Sequence, residues 1–442
     1  MADPVALLKD LLRFNTVNPP GNERVAQEHL AGLLEVAGLD VELLGRTPER
    51  PNLVARLRGS GGGPTLCLLS HVDTVLATPS EWTHDPWAAD EVDGVIYGRG
   101  AQDMKQQTAT EVCAALRLAQ EGWRGQGDLL VVVVVDEETG GAEGAKWICE
   151  HHPDKVRCDY LLNEGAGTLT PHGDERLYPV CIAEKGVFRF RLRTTGIAAH
   201  ASMPRLGDNA LFKLAPLLER MRERQPDFDI TEGPRLLLER LGVTYDELRE
   251  RDPILAAVVE PMLGVTLAPT IVRAGTKINV VPSSAELEVD CRVPPGLGAQ
   301  DAERRIREVL GDSDYELEFT EMVSGNGSPA DSPLWDAMAA WMEGEDPGCQ
   351  LVPTILPGFT DSRTWRATFP ELIAYGFFPQ KEMTLYEVGP LWHGADERID
   401  KRDLELATRF FADTAREICG SERSSSPLRQ GSRASVANRY PQ

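Results

Sequence analysis

Three short, continuous apolar segments constrain the fold of this chain more than any other feature of its sequence. They cover residues 67–70, 129–135 and 160–162, and each runs directly into polar residues. Apolar runs of this length without alternation are typical of strands that are buried on both faces of a parallel sheet. Ligands of open α/β sheets gather at the carboxyl ends of such strands, so we expect the functional residues there.

The residues that follow these runs are ones that bind metal ions. His71 and Asp73 follow the first run, Glu137 and Glu138 follow the second, and Glu164 follows the third. A surface pair could explain His71 and Asp73, and a solvated acidic loop could explain the two glutamates. Both alternatives fit poorly with the buried runs that precede these residues. One histidine and several carboxylates at a single sheet edge therefore predict a metal site.

Asp103 is a further candidate, between the first two of these strands. It follows the glycines of Gly98–Gly100 and precedes a predicted helix over residues 105–120. Taken alone, an acid in this position is best explained as a helix N-cap. Beside the other acids we favour a metal-binding role, because glycines at a strand-to-helix turn permit the unusual backbone that a bridging carboxylate needs.

Six segments of the chain resemble one known family in both composition and order. They are SHVDTV (70–75), DGVIYGRGAQDMK (93–105), VDEETGG (135–141), NEGAG (163–167), TTGIAAHASMP (194–204) and LWHGADERI (391–399). They are similar to the signature segments of the di-zinc aminoacylase, carboxypeptidase G, acetylornithine deacetylase and succinyl-diaminopimelate desuccinylase family of metallohydrolases. The resemblance extends from about residue 7 to residue 420. It implies an α/β fold, with a mostly parallel-sheet zinc-hydrolase catalytic domain and an inserted α+β lid domain that mediates dimerisation.

The resemblance also implies a ligand set for two Zn²⁺ ions per subunit, with Co²⁺ or Mn²⁺ as tolerable substitutes. One zinc is held by His71 and Glu164, the other by Glu138 and His393, and Asp103 bridges the two. Asp73 lies two residues beyond His71 on the same side of a strand. There it can accept the free ring N–H and fix the tautomer that binds metal.

The catalytic roles that the resemblance implies fall on Glu137 and His200. Neighbouring residues of an extended backbone point in opposite directions, so Glu137 and Glu138 cannot serve one metal equally. Glu138 is then the ligand, and Glu137 is the general base on the metal-bound water. His200 lies in the lid, where the matching residue polarises the scissile carbonyl in the active site of the other subunit, which implies a homodimer.

Four further residues resemble positions that line the substrate pocket. Asn279 and Arg292 match lid positions that contact substrate, and Gly358 and Thr360 belong to a loop that lines the pocket. Arginine suits bidentate capture of a carboxylate. Arg292 could equally pair with Asp290 or another nearby acid, and the sequence does not separate these two roles.

Changes of periodicity along the chain predict its domain organisation. We expect a first part of the catalytic domain over residues 1–184, an inserted lid and dimerisation domain over 185–321, a second catalytic part over 322–420, and a disordered tail over 421–442. Alternating strands and two helices predict a four-stranded antiparallel lid sheet with the helices on one face. Residues 226–269 exceed what a short turn requires and predict three additional helices, which indicates an enlarged lid.

Composition excludes several classes of partner. A formal net charge of −23 over 442 residues argues against nucleic acid or an anionic membrane as a partner. No apolar stretch approaches the roughly 20 residues needed to span a bilayer. The first residues lack the features of a signal peptide, and the eight cysteines form no CxxC pair. We therefore expect a cytoplasmic protein.

These observations favour a di-zinc amidohydrolase or metallopeptidase of the deacylase or carboxypeptidase type. The expected substrate is an N-acyl amino acid or a small peptide. An exopeptidase or dipeptidase with the same metal chemistry is the alternative. A non-catalytic binding module on this fold is less favoured, because the general base and every metal ligand are present.

Overall fold

A computed structural model describes residues 2–420 of the chain, so the disorder predicted for residues 421–442 lies outside the described residues. The helices are α1 (Pro4–Arg13), α2 (Arg24–Val36), α3 (Lys105–Gln120), α4 (Ala145–His151), α5 (Pro153–Val156), α6 (Ala210–Glu223), α7 (Glu232–Leu241), α8 (Tyr245–Arg251), α9 (Pro253–Val259), α10 (Ala299–Leu310), α11 (Pro333–Glu345), α12 (Ser362–Thr368), α13 (Leu385–Val388) and α14 (Lys401–Gly420).

The strands form three sheets, of which the largest has eleven strands. They are β1 (Asp40–Leu44), β2 (Asn52–Leu57), β3 (Leu66–His71), β4 (Glu91–Val92), β5 (Val95–Tyr97), β6 (Leu129–Val134), β7 (Tyr160–Asn163), β8 (Thr168–His172), β9 (Glu175–Glu184), β10 (Gly186–Val187), β11 (Phe190–Thr195), β12 (Thr266–Ala274), β13 (Ser284–Val293), β14 (Glu316–Phe319), β15 (Asn326–Gly327), β16 (Gln350–Leu356), β17 (Ile373–Gly376), β18 (Gln380–Thr384) and β19 (Arg398–Asp400).

The three apolar runs form neighbouring parallel strands at the centre of the large sheet. β3 pairs in parallel with β6 on one side and with β7 on the other, and β7 pairs in parallel with β17. Every residue of β3 and β6 is buried, because helices cover both faces of this part of the sheet. The carboxyl ends of these strands lie at one edge, as predicted. The predicted helix over residues 105–120 is confirmed as α3.

The five-stranded sheet, which we call the small sheet, contains β10 to β14. Helices α6 and α10 pack against it. Its core includes Leu214 of α6, Leu287 of β13 and Ile306 of α10. A four-stranded sheet was expected, and five strands are present. The extra strand arises because β10 and β11 both pair antiparallel with β13 and are separated by residues 188–189, so one row of the sheet is broken in two.

The three additional helices predicted in residues 226–269 are present as α7, α8 and α9, but their packing differs from the expectation. Leu237, Leu248 and Leu255 of these helices form one buried cluster with Leu177 of β9 and Val352 of β16. Both of these strands belong to the large sheet. The expectation that these helices enlarge the lid is therefore wrong, because their apolar faces cover the large sheet. The domain boundaries at residues 185 and 321 stay a prediction.

The structure also bears on membrane-spanning helices and on disulfide bonds. Within residues 2–420, no helix has both the length and the apolar character that crossing a membrane requires. All eight cysteines lie in this range without a disulfide, and seven of them are buried.

Candidate metal centre

Asp103 lies between two histidines that come from opposite ends of the chain. His71 ends β3, and its Nε2 is 3.2 Å from Asp103 Oδ1. His393 follows α13, and its Nε2 is 3.1 Å from Asp103 Oδ2. Each oxygen of one carboxylate therefore faces a different imidazole. This is the arrangement that a carboxylate bridging two cations requires.

Two further carboxylates stand next to these histidines. Glu164, after β7, has Oε1 at 3.7 Å from His71 Nε2. Glu138 has Oε2 at 3.4 Å from His393 Nε2. Potential ligand atoms of His71, Asp103 and Glu138 lie within 4.8 Å of one another, and the same holds for His71, Glu137 and Glu164. The structure thus brings together all five residues that the resemblance assigned to metal.

The position of Asp103 depends on a glutamate that the sequence reasoning missed. Glu397 is fully buried, and its carboxylate accepts hydrogen bonds from the backbone N–H groups of Gly100, Gln102 and Asp103. It also pairs with Arg99 Nη1 at 2.6 Å. Asp103 does not cap α3, since the cap residue is Met104, whose side chain makes no hydrogen bond to the start of the helix. The signal for Glu397 was its place in the LWHGADERI segment, four residues after His393.

Asp73 supports both His71 and the acidic turn. His71 Nδ1 is 3.1 Å from the backbone oxygen of Asp73 and 3.5 Å from its Oδ1. The Asp73 carboxylate also accepts hydrogen bonds from the backbone N–H groups of Glu137 and Glu138, both at 3.2 Å. Asn18, a second residue that sequence reasoning missed, donates from Nδ2 to Asp73 Oδ2 at 2.9 Å. Asp73 therefore fixes the ring of His71 and the turn that carries the two glutamates.

The side chains of the adjacent Glu137 and Glu138 have different surroundings. These residues form a 3₁₀ turn over Glu137–Thr139, and Asp136 before it has a positive φ of 70°. Glu138 Oε1 accepts from the backbone N–H of Val75, and its Oε2 faces His393. Among the described residues, no hydrogen bond holds the carboxylate of Glu137. The two side chains thus occupy the different positions that a ligand and a base would need.

The crowding of carboxylates perturbs the acid–base properties of the site. Burial raises the pKa of Glu137 and of Glu164 well above the ordinary value, and neighbouring carboxylates raise both further. Hydrogen bonds to Asp103 and Glu138 raise the pKa of His393 to about 10. The donor set of two imidazole nitrogens and several carboxylate oxygens fits two divalent cations, whose positive charge would offset the repulsion among the carboxylates.

A cavity of about 290 Å³, which we call the metal cavity, is lined by Asp103, Glu137, Glu138, Glu164 and His393. Thr360 lines it, but the hydroxyl of Thr360 donates to Glu184 Oε1 at 2.8 Å and is engaged in the structure. Gly358 lies in the loop just before Phe359, which also lines the metal cavity. His200 and Asn279 lie in the segments around the small sheet, where both are exposed, and neither lines this cavity.

Two arginines lie beside Phe359. Arg292 donates from Nε to Asp290 Oδ1 at 2.6 Å, which is the pairing role that the sequence left open. Arg363 was missed by sequence reasoning, although it follows directly on the predicted pocket loop. Its guanidinium carbon stands 4.1 Å from the centre of the Phe359 ring, and its Nη1 is buried without a hydrogen-bond partner among the described residues. Arg292 Nη1 is likewise buried without a hydrogen-bond partner among the described residues, and neither arginine lines the metal cavity. The two differ in that Arg292 is paired with Asp290, whereas Arg363 has no ion pair among the described residues.

A larger cleft of about 640 Å³ lies elsewhere on the large sheet. Thr65, Asp128 and Asp159, which line it, precede β3, β6 and β7. It therefore opens at the amino ends of the strands, opposite the metal cavity. Its charged groups pair with one another, for example Arg56 with Asp128 at 2.7 Å. Because its charged groups are already paired, we do not place the active site in this cleft.

Comparison with known protein families gives a match over most of the chain. The family described as Peptidase family M20/M25/M40 matches residues 67–417. This range includes every residue placed above in the metal cavity.

Two curated relatives and one solved structure illustrate the similarity. A succinyl-diaminopimelate desuccinylase of Acidiphilium cryptum is 36% identical over 223 residues, which cover 50% of this chain and 56% of the relative. The chain thus spans little more than half the length of that relative. An N-fatty-acyl-amino acid synthase/hydrolase of Xenopus tropicalis is 26% identical over 365 residues, 78% of this chain and 70% of the relative.

The solved structure is an M20 family metallo-carboxypeptidase from Sulfolobus solfataricus. It superposes with a TM-score of 0.73 at 17% sequence identity and covers 95% of this chain and 100% of its own. At this identity the likeness concerns the fold. It confirms the expected α/β architecture with a mostly parallel central sheet.

Proposed function

The chain belongs to the peptidase family M20/M25/M40, and on that premise we propose that it is a metal-dependent hydrolase that cleaves the amide bond of an N-acyl amino acid or a small peptide. The observation that carries this proposal is the position of Asp103 between the Nε2 atoms of His71 and His393. Glu138 and Glu164 complete the ligand set. We propose two Zn²⁺ ions for this site, with Co²⁺ or Mn²⁺ as substitutes.

Bound divalent cations would act as Lewis acids towards a water molecule and the scissile carbonyl oxygen. Glu137 is the proposed general base. Its carboxylate takes a proton from the attacking water and returns it to the leaving nitrogen, so that an amide and water give a carboxylic acid and an amine. Burial and the neighbouring Glu164 raise its pKa, which brings its affinity for protons closer to what this transfer requires. Asp73 holds the backbone of Glu137 in place through the N–H to Oδ1 hydrogen bond of 3.2 Å.

His200 is the proposed donor to the developing oxyanion. Its Nδ1 accepts a hydrogen bond from the backbone N–H of Ser202 at 3.2 Å. In the neutral ring this places the proton on Nε2, which can then donate. Since His200 is exposed and does not line the metal cavity of its own chain, we propose that it serves the site of a second subunit.

The edge of the small sheet supports such a homodimer. Within residues 2–420, strand β12 pairs only with β13, which leaves its other edge open. Ile271 and Val272 on β12 are 43% and 58% exposed. Open strands with exposed apolar side chains are templates for pairing with another chain. Mixing His200→Ala with Glu137→Gln subunits tests the proposal. Each variant is expected to be inactive by itself, and hybrid dimers with one intact site should regain part of the activity.

The names of two relatives, a desuccinylase and an N-fatty-acyl-amino acid synthase/hydrolase, support an acyl amino acid as substrate. The free guanidinium of Arg363 supports an anionic end, such as an α-carboxylate. Asn279, Arg292, Gly358 and Thr360 stay candidates for further substrate contacts.

The deciding experiment is a substrate panel on protein loaded with zinc and then analysed for metal content. We expect two zinc ions per chain and hydrolysis of at least one N-acyl amino acid or dipeptide, with Glu137→Gln as the inactive control. Cleavage of dipeptides alone would favour the dipeptidase alternative. Metal binding without hydrolysis of any amide in the panel would contradict the proposed function.

A further inference from the structure

A second cavity, of about 230 Å³, opens beside the metal cavity. We call it the apolar cavity. Five residues line both cavities, namely Gly165, Ala166, Thr168, Leu356 and Trp392. Gly165 and Ala166 follow Glu164 directly, and Trp392 precedes His393. The two cavities are therefore adjacent, and they meet on the side of Glu164 and His393.

The outer wall of the apolar cavity is built by the helices that cover the large sheet. Leu237 of α7, Val258 and Val259 of α9, and Met262 just after it line this wall. The opposite wall consists of residues of β9 and β16. A chain segment that the sequence assigned to the lid thus forms a pocket next to the reaction centre.

The apolar cavity offers no charged side chain that would pair with a charged substituent. No Asp, Glu, Lys, Arg or His of the described residues lines it. Its three threonines are already engaged, because Thr168 donates to Gln380 Oε1, Thr170 to the backbone oxygen of Thr168, and Thr354 to Met262 Sδ. A carboxylate placed there would lose its hydration without gaining a cationic partner.

The volume indicates the size of the group that fits. A protein cavity of about 150 Å³ accepts benzene, so a cavity of about 230 Å³ has room for about six to nine carbon atoms. Arg363 lies beside Phe359, which lines the metal cavity but not the apolar cavity. An anionic group bound at Arg363 and an apolar group bound in the apolar cavity would therefore occupy different places.

We propose that the apolar cavity binds the acyl chain of the substrate, so that this enzyme prefers N-acyl amino acids with an uncharged acyl group of medium length over N-acetyl or N-succinyl ones. The proposal rests on the amide hydrolysis proposed above. It assigns the segment 232–262 a role in specificity.

The test is a series of N-acyl glycines with acetyl, butyryl, hexanoyl, octanoyl and succinyl groups, assayed on the zinc-loaded full chain. Burial of one methylene corresponds to about a fourfold gain in kcat/KM, so kcat/KM should rise by about that factor per carbon up to hexanoyl or octanoyl. N-succinylglycine should be the poorest substrate of similar length. A flat series, or a preference for succinyl, would overturn the proposal while leaving amide hydrolysis intact.

Two variants of α9 test whether the dependence of kcat/KM on acyl-chain length arises in the apolar cavity. Val258→Trp fills the apolar cavity and should lower kcat/KM for the octanoyl substrate by about tenfold or more, with the acetyl substrate little changed. Ala257→Trp is the matched control, because Ala257 is exposed on α9 and does not line the cavity. If Val258→Trp does not fold, Val258→Ala should move the optimum to a longer chain. Equal effects of the two tryptophan variants would contradict the proposal.

A binding experiment separates this proposal from the proposed function. Sodium octanoate, titrated calorimetrically into the zinc-loaded protein, should bind to the wild type and about tenfold more weakly to Val258→Trp. This result is expected whether or not any amide of the panel is cleaved. Equal binding of octanoate to the wild type and to Val258→Trp would reject the apolar cavity as its site.

Discussion

The carboxylate of Glu397 accepts a hydrogen bond from the backbone N–H of Asp103 at 3.0 Å, although 294 residues separate the two in sequence. The same oxygen accepts from Gln102 N–H at 2.6 Å, and the other oxygen pairs with Arg99. The strand-to-helix turn that carries the proposed bridging ligand is thus fixed from the far end of the chain. Since His393 lies four residues before Glu397, this contact also holds the segment that carries His393 next to the turn that carries Asp103.

We predict that Glu397→Gln lowers both stability and metal affinity. The substitution leaves the buried Arg99 guanidinium without its charge partner, which costs about 3–5 kcal/mol. It also weakens the hydrogen bonds that position Asp103. The free energy of unfolding in urea and the zinc content after dialysis measure the two effects.

Glu405→Gln is the matched control for this prediction. Glu405 pairs with Arg117 at 2.7 Å, but its side chain is 50% exposed. Loss of an exposed pair costs about 0–1 kcal/mol and should leave zinc content unchanged. A Glu397→Gln variant that behaves like this control would show that the Asp103 turn holds its position without Glu397.

The sequence predicted the parts of this site that depend on local pattern. The runs before His71, Glu138 and Glu164 are buried strands because their side chains are apolar without interruption, and parallel pairing brings their ends together. Asn18 and Glu397 were missed because their partners lie far away in the chain. Helices α7 to α9 illustrate the same limit. Their periodicity predicted that they exist, but only the fold shows that they pack on β16 of the large sheet.

A pair of variants should separate the proposed base from the proposed ligand. Glu137→Gln removes proton transfer and should lower kcat by about 10²–10⁴-fold with metal content retained. Glu138→Gln alters a carboxylate that faces His393 at 3.4 Å and should lower metal content. Activity assays and elemental analysis of both variants measure this difference. Equal loss of metal in both would show that the two roles are not divided in this way.

Glu111 provides a prediction about pH that does not involve the metal site. Its carboxylate is fully buried in α3, and burial raises its pKa from 4.5 to about 8. The folded protein therefore binds a proton at Glu111 that the unfolded chain releases between pH 4.5 and about 8. The contribution of Glu111 to stability is fully present below this window and is lost as the pH rises through it.

Glu111→Gln should remove this dependence. The variant should gain stability relative to the wild type as the pH rises from 5 to 9, by on the order of a few kcal/mol. Urea unfolding at several pH values measures the difference. Glu35→Gln, on the exposed face of α2, is the control and should follow the wild type at every pH. A constant difference between Glu111→Gln and the wild type would show that Glu111 keeps its charge in the folded state.

The last prediction concerns the anionic end of the substrate. Arg363 is buried against Phe359 and has no ion pair among the described residues, whereas Arg292 is paired with Asp290. A buried guanidinium without its anionic partner is costly, so the free α-carboxylate should contribute about 2–5 kcal/mol to kcat/KM. The measurement is kcat/KM for a matched free acid and carboxamide, on the wild type and on Arg363→Ala.

In the wild type, the free acid should be the better substrate by that margin, and Arg363→Ala should abolish most of the difference. Arg363→Lys should restore only part of it, because an ammonium cannot bind a carboxylate through two parallel hydrogen bonds. Arg292→Ala is the comparison, and its effect should be smaller because Arg292 is already neutralised by Asp290. If Arg292→Ala abolishes the preference and Arg363→Ala does not, Arg292 must leave Asp290 when substrate binds, and the carboxylate site lies on the small-sheet side of Phe359.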